Sequence, residues 1–374
     1  KAEGPRGGQG CSELVRTMRR ALHPRPGTPP VKASYWRKAA ARGGKLAGVL
    51  SPEESSEFLS TLADAKLSWR GHASTEAGLD RLAASAAEEM GSYSPQQFGQ
   101  LAWAFARLGF LHEDFMQALS RAVEHTVQAA RGRMSNESAC ALLASYRKLG
   151  VLDETAMKSL SRLICRRLVR EPLAPEQTAG AVLAFSELRA RDTALFNAAT
   201  LALCRPGAVE RLGWDQLADV ALSYASLRLH SASLFEQIQQ RVRASAGLPP
   251  GPSAEPAVAS SAAVETPKAL LLEQLLEEMP PAPREQLPGR AAVRLLEAHV
   301  HLGRLGADEL APLLPQLAHP EGARLPTEPA ALLAVALSRG GHVWPWLWRR
   351  AFGACGDGRL PADALLTLAD ALRA

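Results

Sequence analysis

The chain has 374 residues, of which 47% are apolar and 22% charged, and its formal net charge is +5. This composition supplies enough apolar material for a core and argues against wholesale disorder. No stretch reaches the roughly 18 uninterrupted apolar residues that a membrane span needs, so none is predicted. The five cysteines are widely spread and form no CxxC pair, which disfavours a disulfide framework or zinc site and indicates a reducing compartment.

The first 50 residues are predicted to form an extended basic arm. Residues 1–45 contain eleven Lys or Arg and two acids, a net charge of +9, so the other residues together carry −4 (+5 less +9). The segment mixes Gly, Pro and Arg, as in GPRGGQG, and a short helix is expected only at 12–22. The excess positive charge of the chain is therefore concentrated in this arm.

Residues 51–93 are predicted to be atypical N-terminal capping helices, and residues 94–243 to be four well-formed helical repeats. The four repeats start 41, 39 and 39 residues apart, at Ser94, Ser135, Ala174 and Gly213. Eleven residues after each start stands an aromatic residue, in a position that we call the aromatic slot. The slot residues are Phe105, Tyr146, Phe185 and Tyr224. A period near 40 residues is typical of stacked helical units.

Each repeat is predicted to be a helix, a turn and a second helix. The slot residue and the leucine three positions later lie on one helical stripe, which can pack against a neighbour. Ser94 before Pro95 and Gln97 is typical of a helix start, and Gly109 and Gly150 of a left-handed helix end. Because one hairpin cannot bury its stripes alone, the sequence predicts an all-α fold, an α-solenoid of stacked helix-turn-helix repeats of about 38–40 residues.

The C-terminal part is predicted to continue the array in weaker form. Residues 244–267 are rich in Ala, Ser and Pro, so a disordered linker is expected there. Residues 268–374 are expected to form degenerate helical repeats. In the copy that starts at Pro288, His299 occupies the aromatic slot and Gly303 the turn.

The repeats resemble the octotricopeptide repeat and the related helical repeats of the Fas-activated serine/threonine kinase family. The resemblance is carried by LAWAFARLGF at 101–110, LLASYRKLGV at 142–151, VLAFSELRA at 182–190 and ALSYASLRL at 221–229. It covers residues 94–242 well and 288–374 loosely. It implies an organelle protein that binds RNA, and some members belong to organelle ribosomes. The nuclease-like RAP segment of many members is not found, so cleavage of RNA is not implied.

The basic arm is the leading candidate for nucleic-acid binding. Its cations can neutralise phosphates, and its two aromatic rings can stack on bases. The candidate residues are Arg16, Arg19, Arg20, Arg25, Lys32, Tyr35, Trp36, Arg37, Lys38, Arg42 and Lys45. Two other interpretations stay open for this segment, namely the end of an organelle targeting sequence and an ordinary solvated arm.

A weaker candidate is the edge of the array at which the first helices end. Cations recur along this repeat edge: Arg107, Arg147, Lys148, Arg189, Arg191 and Arg228. Stacking of the repeats would align them where they could contact phosphates. Because Lys and Arg also favour helix C-termini, the alternative is that they only offset the helix dipole.

The sequence predicts no enzyme, no metal site and no cofactor. His112-Glu113 lacks the second histidine of an HExxH motif, and Gly43-Gly44-Lys45 is not followed by the Ser or Thr of a P-loop. The slot residues could form a ladder for base stacking, but their leucine partners favour core packing. No small-molecule substrate is expected.

Three functions stay open at this point. The first is a non-catalytic subunit of an organelle ribonucleoprotein, chiefly the mitochondrial ribosome, that contacts rRNA and neighbouring proteins in the matrix. The second is a free-standing RNA maturation or stability factor that binds single-stranded transcripts, in the mitochondrion or plastid. The third is a scaffold subunit of a respiratory complex without RNA. The negative total of residues 46–374 favours the first, since a groove that binds RNA unaided is expected to be basic.

Overall fold

The computed structural model of the chain describes residues 7–23, 31–129, 134–170, 173–245, 287–302 and 313. In these residues the secondary structure is α-helical, with short 3₁₀ segments at Ala47–Val49 and Met90–Ser92 and no β-strand. The predicted all-α class is confirmed.

The helices alternate between the first and second members of hairpins. The first helices are α1 (Gly7–Leu22), α3 (Pro52–Asp64), α5 (Pro95–Leu108), α7 (Asn136–Leu149), α9 (Pro175–Glu187), α12 (Trp214–Ser226) and α14 (Gly289–His301). The second helices are α2 (Ala33–Leu46), α4 (Ala73–Glu88), α6 (Glu113–Gln128), α8 (Glu154–Arg170), α10 (Thr193–Leu203) and α13 (Ala232–Ser245). A single turn, α11 (Ala208–Arg211), precedes α12.

The chain divides into two compact units, residues 1–173 with 180–198 and residues 174–179 with 199–374. In the first unit each first helix packs on the next first helix, α1 on α3, α3 on α5 and α5 on α7. Second helices do the same, α2 on α4, α4 on α6 and α6 on α8. In the second unit α12 packs on α14 and α11 on α13. Packing between successive hairpins is the pattern of an α-solenoid, as predicted.

The first helices share one kind of start. The side chain at the third helical position accepts a hydrogen bond from the backbone N–H of the residue that precedes the helix, which satisfies a donor that the helix leaves unpaired. The pairs are Ser51–Glu54, Ser94–Gln97, Ala174–Gln177 and Gly213–Gln216.

They also share one kind of end. The backbone carbonyl of the slot residue accepts a hydrogen bond from the N–H of the residue five positions later. The residue directly before that donor has a left-handed backbone conformation, with positive φ. The bonds run from Leu67 to Leu62, Phe110 to Phe105, Val151 to Tyr146, Ala190 to Phe185 and Leu229 to Tyr224. Leu62 thus fills the slot of α3, and residues 51–67 are a further copy of the first helix.

The aromatic slot lies in the core. Phe105, Tyr146, Phe185 and Tyr224 are each at most 1% exposed, so core packing is confirmed and base stacking by these rings is excluded. The Tyr146 hydroxyl lies 2.8 Å from the Ser120 hydroxyl of α6. His299, in the slot of α14, is buried and meets the Phe235 ring edge to face.

The prediction of an extended arm is wrong for the described residues of the first 50. α1 buries Cys11, Val15 and Met18, and α2 buries Trp36 and Ala40 among others. The buried positions of α2 match those of α4 at a spacing of 39 residues, and those of α1 match α3 at a spacing of 44. Residues 7–22 and 33–46 are therefore another hairpin of the array, which we call the first hairpin.

Glycines explain why the sequence predicts an extended arm where the structure has this hairpin. A Cβ placed on Gly44 would lie 2.4 Å from the Gly78 Cα atom, and one placed on Gly78 would lie 2.6 Å from the Ala40 carbonyl oxygen. The glycines let the backbones of α2 and α4 approach closely. In the sequence alone, the same residues are typical of loops.

The other predicted segments have mixed outcomes. Residues 51–93 form two helices, α3 and α4, but they are internal layers because α1 and α2 cover them. The predicted linker lies outside the described residues from 246 onward, as do residues 268–286 and 303–374 with the exception of 313.

Candidate nucleic-acid interface

The first hairpin holds most of the predicted RNA-binding residues. Seven cations lie exposed on α1 or at α2: Arg16, Arg19, Arg20, Lys32, Lys38, Arg42 and Lys45. Arg37 is half-buried, and Arg25 lies outside the described residues. The charge that was expected on a loose arm is thus carried by the outward faces of two packed helices.

The aromatic residues of this segment are not available for base stacking in the way predicted. Trp36 is 6% exposed because it lies on the inward face of α2 with Ala39 and Ala40. Tyr35 is half-buried against the Trp36 ring, with ring centroids 5.2 Å apart, and burial raises its pKa. The prediction for Trp36 is therefore wrong, and base reading by this pair is not supported.

Two of the cations are already engaged by the layer below. Arg19 forms an ion pair with Glu57 of α3 at 2.9 Å, and Arg37 hydrogen-bonds the ring of His72. In the described part of the chain, no ion pair is formed by Arg16, Arg20, Lys32, Lys38, Arg42 or Lys45. These six side chains are the ones that can meet phosphates.

Arg42 of α2 lies close to Cys11 in the first half of α1. Burial raises the pKa of the Cys11 thiol in α1, Glu54 raises it further, and the positive charge of Arg42 in α2 lowers it. Arg42 therefore lies beside α1. The described residues 7–23 and 31–46 contain eight Lys or Arg and one Glu, a net charge of +7.

The repeat edge is less free than the sequence suggested. Arg107 lies 3.4 Å from Asp64 and stacks over the Trp103 ring, and Arg147 lies 3.6 Å from Glu187. Both ion pairs join neighbouring first helices and take up charge that a phosphate would otherwise meet. The other four cations of this edge remain exposed: Lys148, Arg189, Arg191 and Arg228.

Arg189 and Arg228 stand where two other repeats use glycine. Gly109 and Gly150 end α5 and α7 with φ of 65° and 67°, whereas Arg189 and Arg228 adopt φ of 55° and 54°. A left-handed residue with a side chain costs about 1 kcal/mol or more relative to glycine. Dipole compensation does not require arginine at this position, since Arg107 and Arg147 lie within the last turn of their helices.

The outward surface of α3 is acidic. A groove of about 470 Å³ lies on this surface in the first unit, and its charged lining comprises the carboxylates of Glu53, Glu57 and Asp64 with Arg19. A smaller cavity of about 300 Å³ beside Trp103 is lined mainly by polar and small residues. Phosphates are not attracted to such a groove.

The structure also shows basic residues that the sequence reasoning missed. Lys158, Arg162 and Arg166 lie exposed along α8, at a spacing of four residues. Lys158 pairs with Glu154 at 3.1 Å. The 40-residue period is carried most clearly by the first helices, whose slot residues are aromatic. Along the second helices the same period aligns Arg162 with Arg121 of α6, and this signal points to these cations.

No protein-family model and no curated protein matches the chain. Among the described residues, no helix is long and apolar enough to cross a membrane, and no group of three or more His, Cys, Asp or Glu side chains could hold a metal ion. His112 has a local role: its Nδ1 atom accepts the backbone N–H of Phe115 at the start of α6.

Proposed function

We propose that this protein is a non-catalytic helical-repeat subunit of an organelle ribonucleoprotein, the mitochondrial ribosome, in which it contacts rRNA and neighbouring proteins. The observation that carries the proposal is the first hairpin, a packed layer whose described residues 7–23 and 31–46 carry a net charge of +7. Six of these cations are exposed and form no ion pair with a described residue. The assignment to an organelle, with the matrix as compartment and the plastid as alternative, rests on the resemblance of the repeats.

A folded basic layer suits the phosphate backbone of a structured RNA. Its side chains are held on two helices, so contact with a rigid RNA costs little ordering of the protein backbone. Since Trp36 is buried, the layer offers charge without base stacking, and its binding is expected to depend on salt more than on sequence.

The acidic lining that α3 gives to this groove argues against the second candidate function, a factor that reads single-stranded transcripts along the groove. Glu53, Glu57 and Asp64 would repel phosphates there. Neighbouring proteins have other places to bind: Leu111 and Leu152 are 50% and 51% exposed at equivalent positions, two residues after Gly109 and Gly150.

The test is cosedimentation of the full chain with organelle ribosomal particles at rising salt. A variant in which Arg16, Arg20, Lys38 and Lys45 are all replaced by Gln removes up to four phosphate contacts. Its salt slope is expected to fall by about 3, from roughly 0.7–0.9 per contact. The matched control replaces four other exposed cations that belong to no candidate RNA site, Lys66, Arg70, Arg205 and Arg211, by Gln and should retain most of the association.

Treatment with RNase should release the wild-type chain from the particles. If both variants lose the same amount of particle association, net charge alone explains the loss, and the first hairpin is not the RNA contact. Comigration with a respiratory complex that resists RNase would overturn the proposal.

A further inference from the structure

One arginine occupies the same position on four successive second helices of the first unit. Arg81, Arg121 and Arg162 are each the ninth residue of their helices, α4, α6 and α8. Arg42 is the equivalent residue of α2, by the spacing of 39 residues that relates the buried positions of α2 and α4. Because the four helices pack in this order, their arginines form one row, which we call the arginine row.

All four arginines are exposed, and none forms an ion pair with a described residue. Packed helices lie about 8–10 Å apart, so three steps between helices make the row roughly 24–30 Å long. The ninth residue lies in the middle of α4, α6 and α8, where the helix dipole has little effect. Compensation of helix ends therefore does not explain the row.

The surroundings of the row favour a polyanion over a protein partner. Protein interfaces are built around exposed apolar anchors. The large apolar side chains that are exposed in the described residues are Val49, Leu111, Leu152 and Leu201, and none of them lies on α2, α4, α6 or α8. Cations flank the row at both ends, with Lys38 and Lys45 on α2 and Lys158 and Arg166 on α8.

Acids limit the row on either side. Among the exposed carboxylates of α4 and α6 are Glu76, Asp80, Glu88, Glu113 and Asp114. Glu76, Glu88, Glu113 and Asp114 lie nearer the helix ends than the arginines do. Asp80, next to Arg81 in the middle of α4, lies 3.5 Å from His112. A polyanion is therefore confined to the narrow line of guanidinium groups instead of spreading over the face.

We infer that the arginine row is a track for the sugar-phosphate backbone of an RNA strand that crosses the second helices α2, α4, α6 and α8 in turn. The inference rests on the proposed function and adds to it a second RNA contact, on a face separate from the acidic groove of the first helices. The equivalent ninth residues of α10 and α13 are Leu201 and Gln240, so among the described second helices the track is limited to α2, α4, α6 and α8.

The test measures binding of the full chain to a single-stranded oligouridylate of about 12 nucleotides, by fluorescence anisotropy over a range of salt. Replacing Arg81, Arg121 and Arg162 by Gln removes three phosphate contacts, so the salt slope should fall by about 2, at roughly 0.7 per contact, and the affinity at least tenfold at low salt. The control triple, Lys66→Gln with Arg70→Gln and Arg211→Gln, has the same charge change and should lose much less. Thermal unfolding should be the same for both triples, since all six side chains are exposed.

Each other outcome has a defined meaning. If the wild-type chain does not bind the oligouridylate, the track is overturned, whereas the proposed function is judged separately by cosedimentation with ribosomal particles. If the wild type binds and the row triple binds equally well, or loses no more than the control, the track alone is overturned. If a poly-glutamate peptide binds through the row while RNA binding is unchanged, the row belongs to an acidic protein partner and the inference is overturned.

Discussion

The first hairpin and the second, α3 with α4, have opposite charges and the same packing. The described residues 7–23 and 31–46 carry +7, whereas residues 51–93 contain three basic and eight acidic residues, or −5. Their buried positions nevertheless coincide at constant spacings. The fold is therefore determined by the inward positions, and the outward positions are free to carry function.

The two hairpins differ from the later repeats in how they are joined. Between α5 and α7 and beyond, aromatic slot residues fill the space between layers, and Tyr146 reaches back to Ser120. Between α2 and α4, Gly44 and Gly78 place no side chain in the interface, so the two helix backbones are in direct contact. The contact between α2 and α4 thus depends on small residues. In the contact between α5 and α7, Gly99 also lies close to the Ser138 backbone, but buried large side chains such as Phe105 and Tyr146 contribute there as well.

The largest effect is expected from Gly78→Ala, which should break the contact between the first two hairpins. Its Cβ would lie 2.6 Å from the Ala40 carbonyl oxygen, and a backbone atom cannot move aside as a side chain can. We expect a loss of about 1–3 kcal/mol in the free energy of unfolding of the first unit, measured in urea.

Gly180→Ala in α9 is the matched control, because nothing lies within 4 Å of its Cβ position. It should stabilise the protein by about 0.5–1 kcal/mol through helix propensity. If both alanine variants stabilise, the close approach of α2 and α4 is not as described.

A smaller effect is expected from Tyr146→Phe, which tests the joint between later repeats. The change leaves the Ser120 hydroxyl, 3% exposed, without the hydrogen bond to Tyr146, at a cost of about 1–2 kcal/mol. Adding Ser120→Ala should recover part of the loss. Additive losses in a double-mutant cycle would show that the hydroxyl pair does not contribute.

The smallest effect is a dependence on pH at the junction of α1 and α3. Burial of Glu54 opposes its ionisation, but hydrogen bonds from Ser12 and from Ser51 outweigh burial and lower the pKa of Glu54. Because the pKa of Glu54 is lower in the folded state, the ionised carboxylate stabilises the folded protein at pH values above its unfolded-state pKa of about 4.3. This stabilisation is lost as the pH falls through the folded-state pKa. Glu54→Gln should therefore cost up to about 1 kcal/mol at pH 7 and unfold with a shallower dependence on pH below about 4.5.

The control for that measurement is Glu53→Gln, because Glu53 is exposed and neighbours Glu54 on α3. It should keep the wild-type acid profile. An identical profile for wild type and Glu54→Gln would mean that the hydrogen bond from Ser12 to Glu54 does not hold α1 on α3.

The sequence by itself determined the features that depend on residues close along the chain. Ser94 with Gln97 starts a helix and Gly109 ends it through contacts over a few residues, and the spacing of Phe105 and Leu108 selects one helical face. These local rules predicted the class of fold, the hairpins and the burial of the slot. They also predicted that positive charge is concentrated near the N-terminus.

Only the tertiary structure decided whether that charged segment folds and which side chains it exposes. No side-chain cap precedes α2, and its glycines count against a helix until Gly44 meets Gly78 of α4. Whether a ring is available or a cation is paired likewise depends on distant residues, as with buried Trp36, or with Arg107 beside Asp64. Arg81, Arg121 and Arg162 are single surface residues in sequence and become a row because α4, α6 and α8 stack.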